Sequence, residues 1–227
     1  MHIAILTLDG YNELDSIVAL GILNRVKRPG WRVSLACPTA QVTSMNGVVV
    51  HAQATLAEAC EADAVLLGSG IKTREFARDE ALLAQLRLDA SRQLIGAQCS
   101  GTLLLAKLGL LEGRGADAQR IPACTDLLTK PWVQEAGVEV LDQPFFARGN
   151  VATAGGCLAS MYLASWLIVR LVEQEAGREA ALQAARDAMH YVAPVGEKEA
   201  FVERALRNVL PFLPATALAQ AASPTFA

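Results

Sequence analysis

Cys99 stands where an apolar run of strand length, Leu94-Ile95-Gly96-Ala97-Gln98, gives way to Ser100-Gly101-Thr102 and then to a Leu-rich run of helical length. A thiol at such a junction occupies a tight turn at the positive end of a helix, where unpaired amide N–H groups favour the thiolate. Serine nucleophiles of hydrolases use the same strand-to-helix elbow. The commoner fate of a cysteine is to pack as a small hydrophobe. The turn predicts instead a covalent nucleophile at Cys99, with a depressed pKa.

Covalent attack needs a group to move protons and donors to meet developing charge. Asp15 follows the first apolar run and precedes Ile17, Val18, Leu20, Ile22 and Leu23, which have helical spacing. An Asp at that place is by default a helix N-cap. The alternative is a carboxyl group that faces the Cys99 thiol across the strand ends. Glu13 competes, but its loop position predicts a solvated side chain. Gly68-Ser69-Gly70 directly follows the apolar Asp63–Leu67 run. It is too short for a phosphate loop and lacks the spacing of a nucleotide site. Its amides, with those of Cys99 and Ser100, are candidates to stabilise negative charge on a substrate, although permissive glycines also serve ordinary turns. Ser100 and Thr102 add hydroxyls near the thiol.

The three histidines, His2, His51 and His190, stand far from Cys99 in sequence and in strand-like or helix-ending contexts. A Cys–His proteolytic pair is therefore poorly supported. The five cysteines (Cys37, Cys60, Cys99, Cys124 and Cys157) form no C-x-x-C and no zinc spacing, so no metal is expected. Free thiols in a reducing cytoplasm are the simplest reading. Cys157, beside Gly155-Gly156 at another strand-to-helix junction, is the second thiol of interest.

The elements that must position these residues follow from the pattern. The chain has 227 residues, 52% of them hydrophobic, and a net charge of −3. No basic cluster points to nucleic acid, and the long apolar stretches are interrupted, so no membrane span is expected. His2–Leu8, Arg32–Cys37, Val48–Gln53, Asp63–Leu67 and Leu94–Gln98 read as strands. Asp15–Lys27, Leu56–Cys60, Glu75–Ala90 and Ser100–Leu108 read as the helices between them. Phe145–Arg148 and Val151–Thr153 flank Gly149-Asn150 as a hairpin, and Leu158–Glu175 and Arg178–His190 read as two closing helices. Buried strands with helical crossovers predict a flavodoxin-like, doubly wound α/β domain with a mainly parallel sheet and helices on both faces. That domain would span residues 1–210, with an Ala/Pro-rich tail over 211–227.

Taken together, Glu13-Leu14-Asp15, Leu67-Gly68-Ser69-Gly70, Gln98-Cys99-Ser100-Gly101-Thr102, Gly109-Leu110-Leu111-Glu112-Gly113-Arg114, Thr153-Ala154-Gly155-Gly156 and Tyr191-Val192-Ala193-Pro194 resemble the ThiJ/PfpI superfamily. This superfamily has the class I glutamine-amidotransferase-like fold. The resemblance runs from His2 to about Gly196 and is strongest to isocyanide hydratases and to the ligand domains of amidotransferase-like AraC regulators. A DNA-binding helix-turn-helix beside such a domain is not expected. The usual Pro-Gly-Gly of the superfamily is replaced by Leu67-Gly68-Ser69, and Ala118-Gln119-Arg120 stands where Thr-His is frequent. The resemblance implies Cys99 as nucleophile, Asp15 as its carboxyl partner, and Gly68, Ser69, Gly70 and Ser100 as the substrate-binding edge. It also implies a homodimer. The expected activity is cysteine-dependent hydration or hydrolysis of a small electrophile, foremost an isocyanide giving an N-substituted formamide, without cofactor. Glyoxalase- or deglycase-like chemistry on reactive aldehydes, and a ligand or redox sensor, are the alternatives.

Overall fold

The computed structural model describes residues 1–113 and 119–215. Arg114, Ala118 and the tail from 216 onward lie outside the described residues. The chain runs through β1 (His2–Leu6), α1 (Glu13–Leu23), β2 (Arg32–Ala36), β3 (Gln41–Thr43), β4 (Val49–His51), α2 (Leu56–Glu61) and β5 (Ala64–Leu67). It continues through α3 (Thr73–Phe76), α4 (Glu80–Gln85), β6 (Leu94–Gln98), α5 (Gly101–Lys107), α6 (Lys130–Glu135), β7 (Phe145–Arg148) and β8 (Val151–Ala154). A short 3-10 turn at Cys157–Ala159 leads into α7 (Ser160–Val192), and α8 (Lys198–Val209) closes the fold.

Six strands form one sheet in the order β2-β1-β5-β6-β8-β7. All neighbours are parallel except the β7–β8 pair, which is the expected hairpin around Gly149-Asn150. Side chains alternate across the sheet, as the pleat requires. Ile3, Ile5 and Leu66 enter the core shared with α1, α7 and α8, while Ala4, Leu6, Val65, Leu67 and Ile95 enter the core on the other face. Burial on both faces is why these strands read as continuous apolar runs. The doubly wound α/β reading therefore holds.

Several elements differ from expectation. The first helix starts at Glu13 because Asn12, not Asp15, is its N-cap, accepting a hydrogen bond from Leu14 N through its side chain. The span 75–90 is not one helix: Asp79 caps a new start at Glu80, its side chain accepting from Leu82 N at 3.0 Å. Val49–His51 stays outside the main sheet and pairs antiparallel with Gln41–Thr43. The two long helices are found within α7, separated at Gly177, whose φ of 81° no other residue type adopts readily. Residues after 210 do not begin loose, since the Phe212 ring packs edge-on against Phe145 and Phe146 at 5.7 and 5.2 Å.

Candidate active site

Because β1, β5, β6 and β8 are parallel, their carboxyl ends share one edge of the sheet, and the loops leaving them meet there. This is where ligands bind in doubly wound folds. The β6–α5 connection is two residues, Cys99 and Ser100, and Cys99, with φ 47°, is the one residue other than glycine with positive φ among the described residues. Left-handed backbone costs a side-chain-bearing residue about 1–2 kcal/mol, so neighbours must hold it. Cys99 N–H donates to Ala154 O at 2.8 Å, and Thr125 Oγ1 donates to Cys99 O at 2.8 Å. The helix behind it sits close on β5. A Cβ on Gly101 would lie 2.7 Å from the carbonyl oxygens of both Leu67 and Gly68, so only glycine fits. The elbow expected from the sequence is present.

Asp15 lies one turn into α1 with 1% of its surface exposed, and Cys99 with 4%. An Asp15 carboxylate oxygen and the sulfurs of Cys99 and Cys157 all lie within 4.8 Å of one another. Among the described residues this is the one group of three His, Cys, Asp or Glu side chains close enough to share an ion, offering one oxygen and two sulfurs. Asp15 Oδ2 accepts a hydrogen bond from the Ser69 hydroxyl, whereas Oδ1 is buried without a partner. Burial pushes the Asp15 carboxyl above the ordinary carboxylate range, opposed by the hydrogen bond from Ser69 and by the nearby thiols of Cys99 and Cys157.

The depressed pKa expected for Cys99 is not what the geometry produces. Burial, then the negative charge of Asp15, push the thiol well above the ordinary range. The short α5 cannot offset both. Burial alone also raises Cys37 to about 11 and Cys124 to about 12, its hydrogen bonds opposing the shift at Cys124. What sets Cys99 apart is therefore its carboxyl neighbour. Two acids at this separation, each raised by burial, titrate as a coupled pair, and the charged Asp15 carboxylate favours the protonated Cys99 thiol.

The remaining edge residues also converge. Gly70 N–H donates to Ser100 Oγ at 3.2 Å, and Thr73 Oγ1 lies 2.9 Å from the same oxygen. Gly68 N–H and Cys99 N–H are spent on Leu6 O and Ala154 O. Of the five amides considered as charge-stabilising donors, those of Ser69 and Ser100 thus remain. A Cβ on Gly70 would fall 2.5 Å from Gly10 O, so this loop passes too close to the β1 loop for any side chain. Glu13 points away and accepts from Ser44 Oγ and, at 2.9 Å, Asn46 Nδ2. Thr102 Oγ1 donates to Cys124 O at 2.8 Å, a structural bond.

Above the thiol opens a cavity of about 390 Å³. Asn12, Ser69, Gly70, Cys99, Ser100 and Cys157 line its floor, and Met45, Ile71, Leu128 and Trp132, with Asp126 and Thr129, its walls. None of the histidines lines it: His2 is bonded to Ser34 at 2.7 Å, His51 lies on β4, and His190 faces Glu199 at 3.7 Å. Sequence reasoning missed Asn12, Thr125 and Trp132. Asn is a strong N-cap residue, and Pro131 in the first turn of α6 marks a helix start, so two of the three carried a readable signal.

The arrangement has counterparts in known proteins. A search of curated proteins finds no match. Among solved structures, a DJ-1 superfamily protein from Salmonella typhimurium is 26% identical, with 80% of this chain and 96% of that one covered at a TM-score of 0.63. Schizosaccharomyces pombe DJ-1 is 18% identical over 86% of this chain and 100% of that one, with a TM-score of 0.65. A ThiJ/PfpI family protein from Pseudomonas syringae is 19% identical over 92% of this chain and 87% of that one, again at 0.65. The last two show likeness of fold alone. The DJ-1/PfpI family model matches residues 1–170, which include every strand of the sheet, the Cys99 elbow and Asp15; the chain belongs to the DJ-1/PfpI family.

Proposed function

We propose that this protein hydrates a small electrophilic carbon through Cys99, and that the substrate is an apolar isocyanide, giving an N-substituted formamide. The observation that carries this reading is the pairing of Cys99, which lines a cavity that no histidine lines, with the buried Asp15 carboxyl beside it. Peptide hydrolysis must protonate a poor amine leaving group, and Cys–His sites use imidazolium for that. An isocyanide expels nothing, so a single proton carrier suffices.

In this mechanism the Cys99 thiolate attacks the terminal carbon, forming a C–S bond, while the proton on Asp15 Oδ1 is transferred to that carbon. The product is a thioimidate bound to Cys99. Asp15, now ionised, accepts a proton from the attacking water. Asp15 passes that proton to the nitrogen and then takes the hydroxyl proton as the C–S bond breaks, which releases the formamide and leaves Asp15 protonated beside the Cys99 thiolate. Covalent attack thereby splits one difficult hydration into two easier steps. Ser69 holds the carboxyl through Oδ2, and the amides of Ser69 and Ser100, with Gly68 and Gly70 shaping the loop, face the reacting carbon. The Met45, Ile71, Leu128 and Trp132 walls suit an apolar substituent better than a hydrated 2-oxoaldehyde. No step needs a cofactor.

A second copy of the chain is the proposed partner. Leu158 and Tyr191 are each 67% exposed and, with Val18 and Val192, border a second cavity of about 570 Å³ between α1 and the end of α7. Apolar side chains gathered this way mark an association surface. Five free cysteines suit a reducing compartment, the cytoplasm. Among the described residues no helix is long and apolar enough to cross a membrane.

The reading is tested with a panel of alkyl and aryl isocyanides and of 2-oxoaldehydes, comparing the natural protein with Cys99→Ala. Isocyanide loss should appear in the infrared only with Cys99 present. Consumption of 2-oxoaldehydes alone would replace it by aldehyde chemistry.

A further inference from the structure

The reaction above leaves Cys157 without a task, although its sulfur lies in the same cavity floor within 4.8 Å of the Cys99 sulfur and an Asp15 oxygen. Three features distinguish it from the other thiols. It is the one cysteine that is not fully buried. Its sulfur accepts a hydrogen bond from Asn12 Nδ2 at 3.3 Å, and this bond and the Cys99 thiol oppose the upward push of burial and of the Asp15 charge on its pKa. Its backbone is tied to the elbow through Gln98, whose Nε2 donates to Gly156 O at 2.7 Å and lies 3.7 Å from Cys99 Sγ. Cys157 therefore cannot drift from Cys99, yet it follows Gly156, at φ 88° with open space where a Cβ would stand, so the turn can adjust.

We propose that Cys157 is the resolving thiol for Cys99, and that a hydroperoxide converts the pair into an intramolecular disulfide that shuts the site reversibly. The Cys99 thiolate attacks the outer peroxide oxygen; the O–O bond breaks, and the alcohol or water leaves with the proton held by Asp15. Cys99 is then a sulfenic acid. The Cys157 thiolate attacks that sulfur, the S–O bond breaks, and hydroxide departs as water after taking up the proton that Cys157 gave up. The peroxide gains two electrons and the two thiols lose two. A small dithiol returns both to the thiol state by exchange. A disulfide needs about 2.05 Å between sulfurs, and one side-chain rotamer change moves a Cys sulfur by about 3 Å, which closes the gap. Formation of the bond would stop Cys99 short of irreversible sulfinic acid.

This inference rests on Cys99 being the attacking thiol, as in the function proposed above, but not on hydration. The test treats the natural protein with one equivalent of hydrogen peroxide at pH 7, then denatures and alkylates it. Tryptic peptides 93–107 and 149–170 carry one cysteine each, Cys99 and Cys157. They should be recovered joined, separable by dithiothreitol, with free thiols reduced by two. Cys157→Ser should halt at a Cys99 sulfenic acid that dimedone traps, and Cys99→Ala should leave Cys157 reduced. Sulfenic or sulfinic acid on Cys99 beside fully alkylated Cys157 in the natural protein overturns the proposal, as does an unoxidised Cys99. Isocyanide turnover is read on the same preparations. A protein that forms the disulfide but hydrates nothing keeps this inference and loses the hydratase reading; one that hydrates without forming it does the reverse.

Discussion

The Ser69 hydroxyl donates to Oδ2 of Asp15 and leaves Oδ1 buried without a partner, in a carboxyl group of which one oxygen lies within 4.8 Å of the Cys99 and Cys157 sulfurs. That bond favours the ionised carboxylate and so opposes the upward pull of burial. Removing it in Ser69→Ala should raise the Asp15 pKa further. Turnover needs the pair to have lost one of its two protons, so the acid limb of the kcat/KM profile should move to higher pH. An unchanged or acid-shifted limb would show that Ser69 does not act on Asp15.

The second prediction concerns Asp15→Asn. After burial, the Asp15 charge is the largest influence holding the Cys99 thiol up, so its loss should lower the Cys99 pKa, measurable by thiolate absorbance near 240 nm. The same change should stabilise the fold at neutral pH. A carboxyl whose folded pKa is raised favours folding when protonated, and that advantage disappears as pH rises through the folded pKa. Asn avoids the buried charge, and a gain of about 0.5–2 kcal/mol is expected, the usual scale for relieving a functional compromise. Thermal unfolding across pH 4–8 should show the largest difference at the alkaline end. A less stable variant at pH 7 would mean that Asp15 is held by partners better than its unpartnered Oδ1 indicates.

Cys99 was legible in the sequence because an apolar strand running into Ser-Gly-Thr forces a turn, and that turn is found at φ 47°. The location of the proton was not. The thiol pKa depends on burial and on Asp15, which is about 280–300 Å away along a fully extended chain, and only the folded edge brings the two together. Asp15 also read as a cap because the better cap, Asn12, was overlooked three positions earlier. The helix α8 was missed despite Phe201, Val202, Ala205, Leu206 and Val209 at helical spacing, four of them buried. Strand Gln41–Thr43 is three residues long and offers no period to read.

The proposed second copy gives the third prediction. Tyr191 and Ile17 are exposed on the apolar surface near α1. The natural protein should sediment as a dimer at tens of micromolar, and the double variant Ile17→Glu, Tyr191→Glu as a folded monomer. A natural protein that sediments as a monomer removes this partner.

The central claim joins Cys99 and Asp15 in one hydration, and formamide release from cyclohexyl isocyanide measures it most directly. Three proteins are compared at pH 7 by chromatography of the product: the natural chain, Cys99→Ala and Asp15→Asn. The natural chain should release N-cyclohexylformamide at a steady rate. Cys99→Ala should release none above background, because no other group can form the thioimidate. Asp15→Asn should be slower by about two orders of magnitude or more, the scale of lost acid–base catalysis. Turnover that survives Cys99→Ala, or an Asp15→Asn variant as fast as the natural chain, would contradict the account.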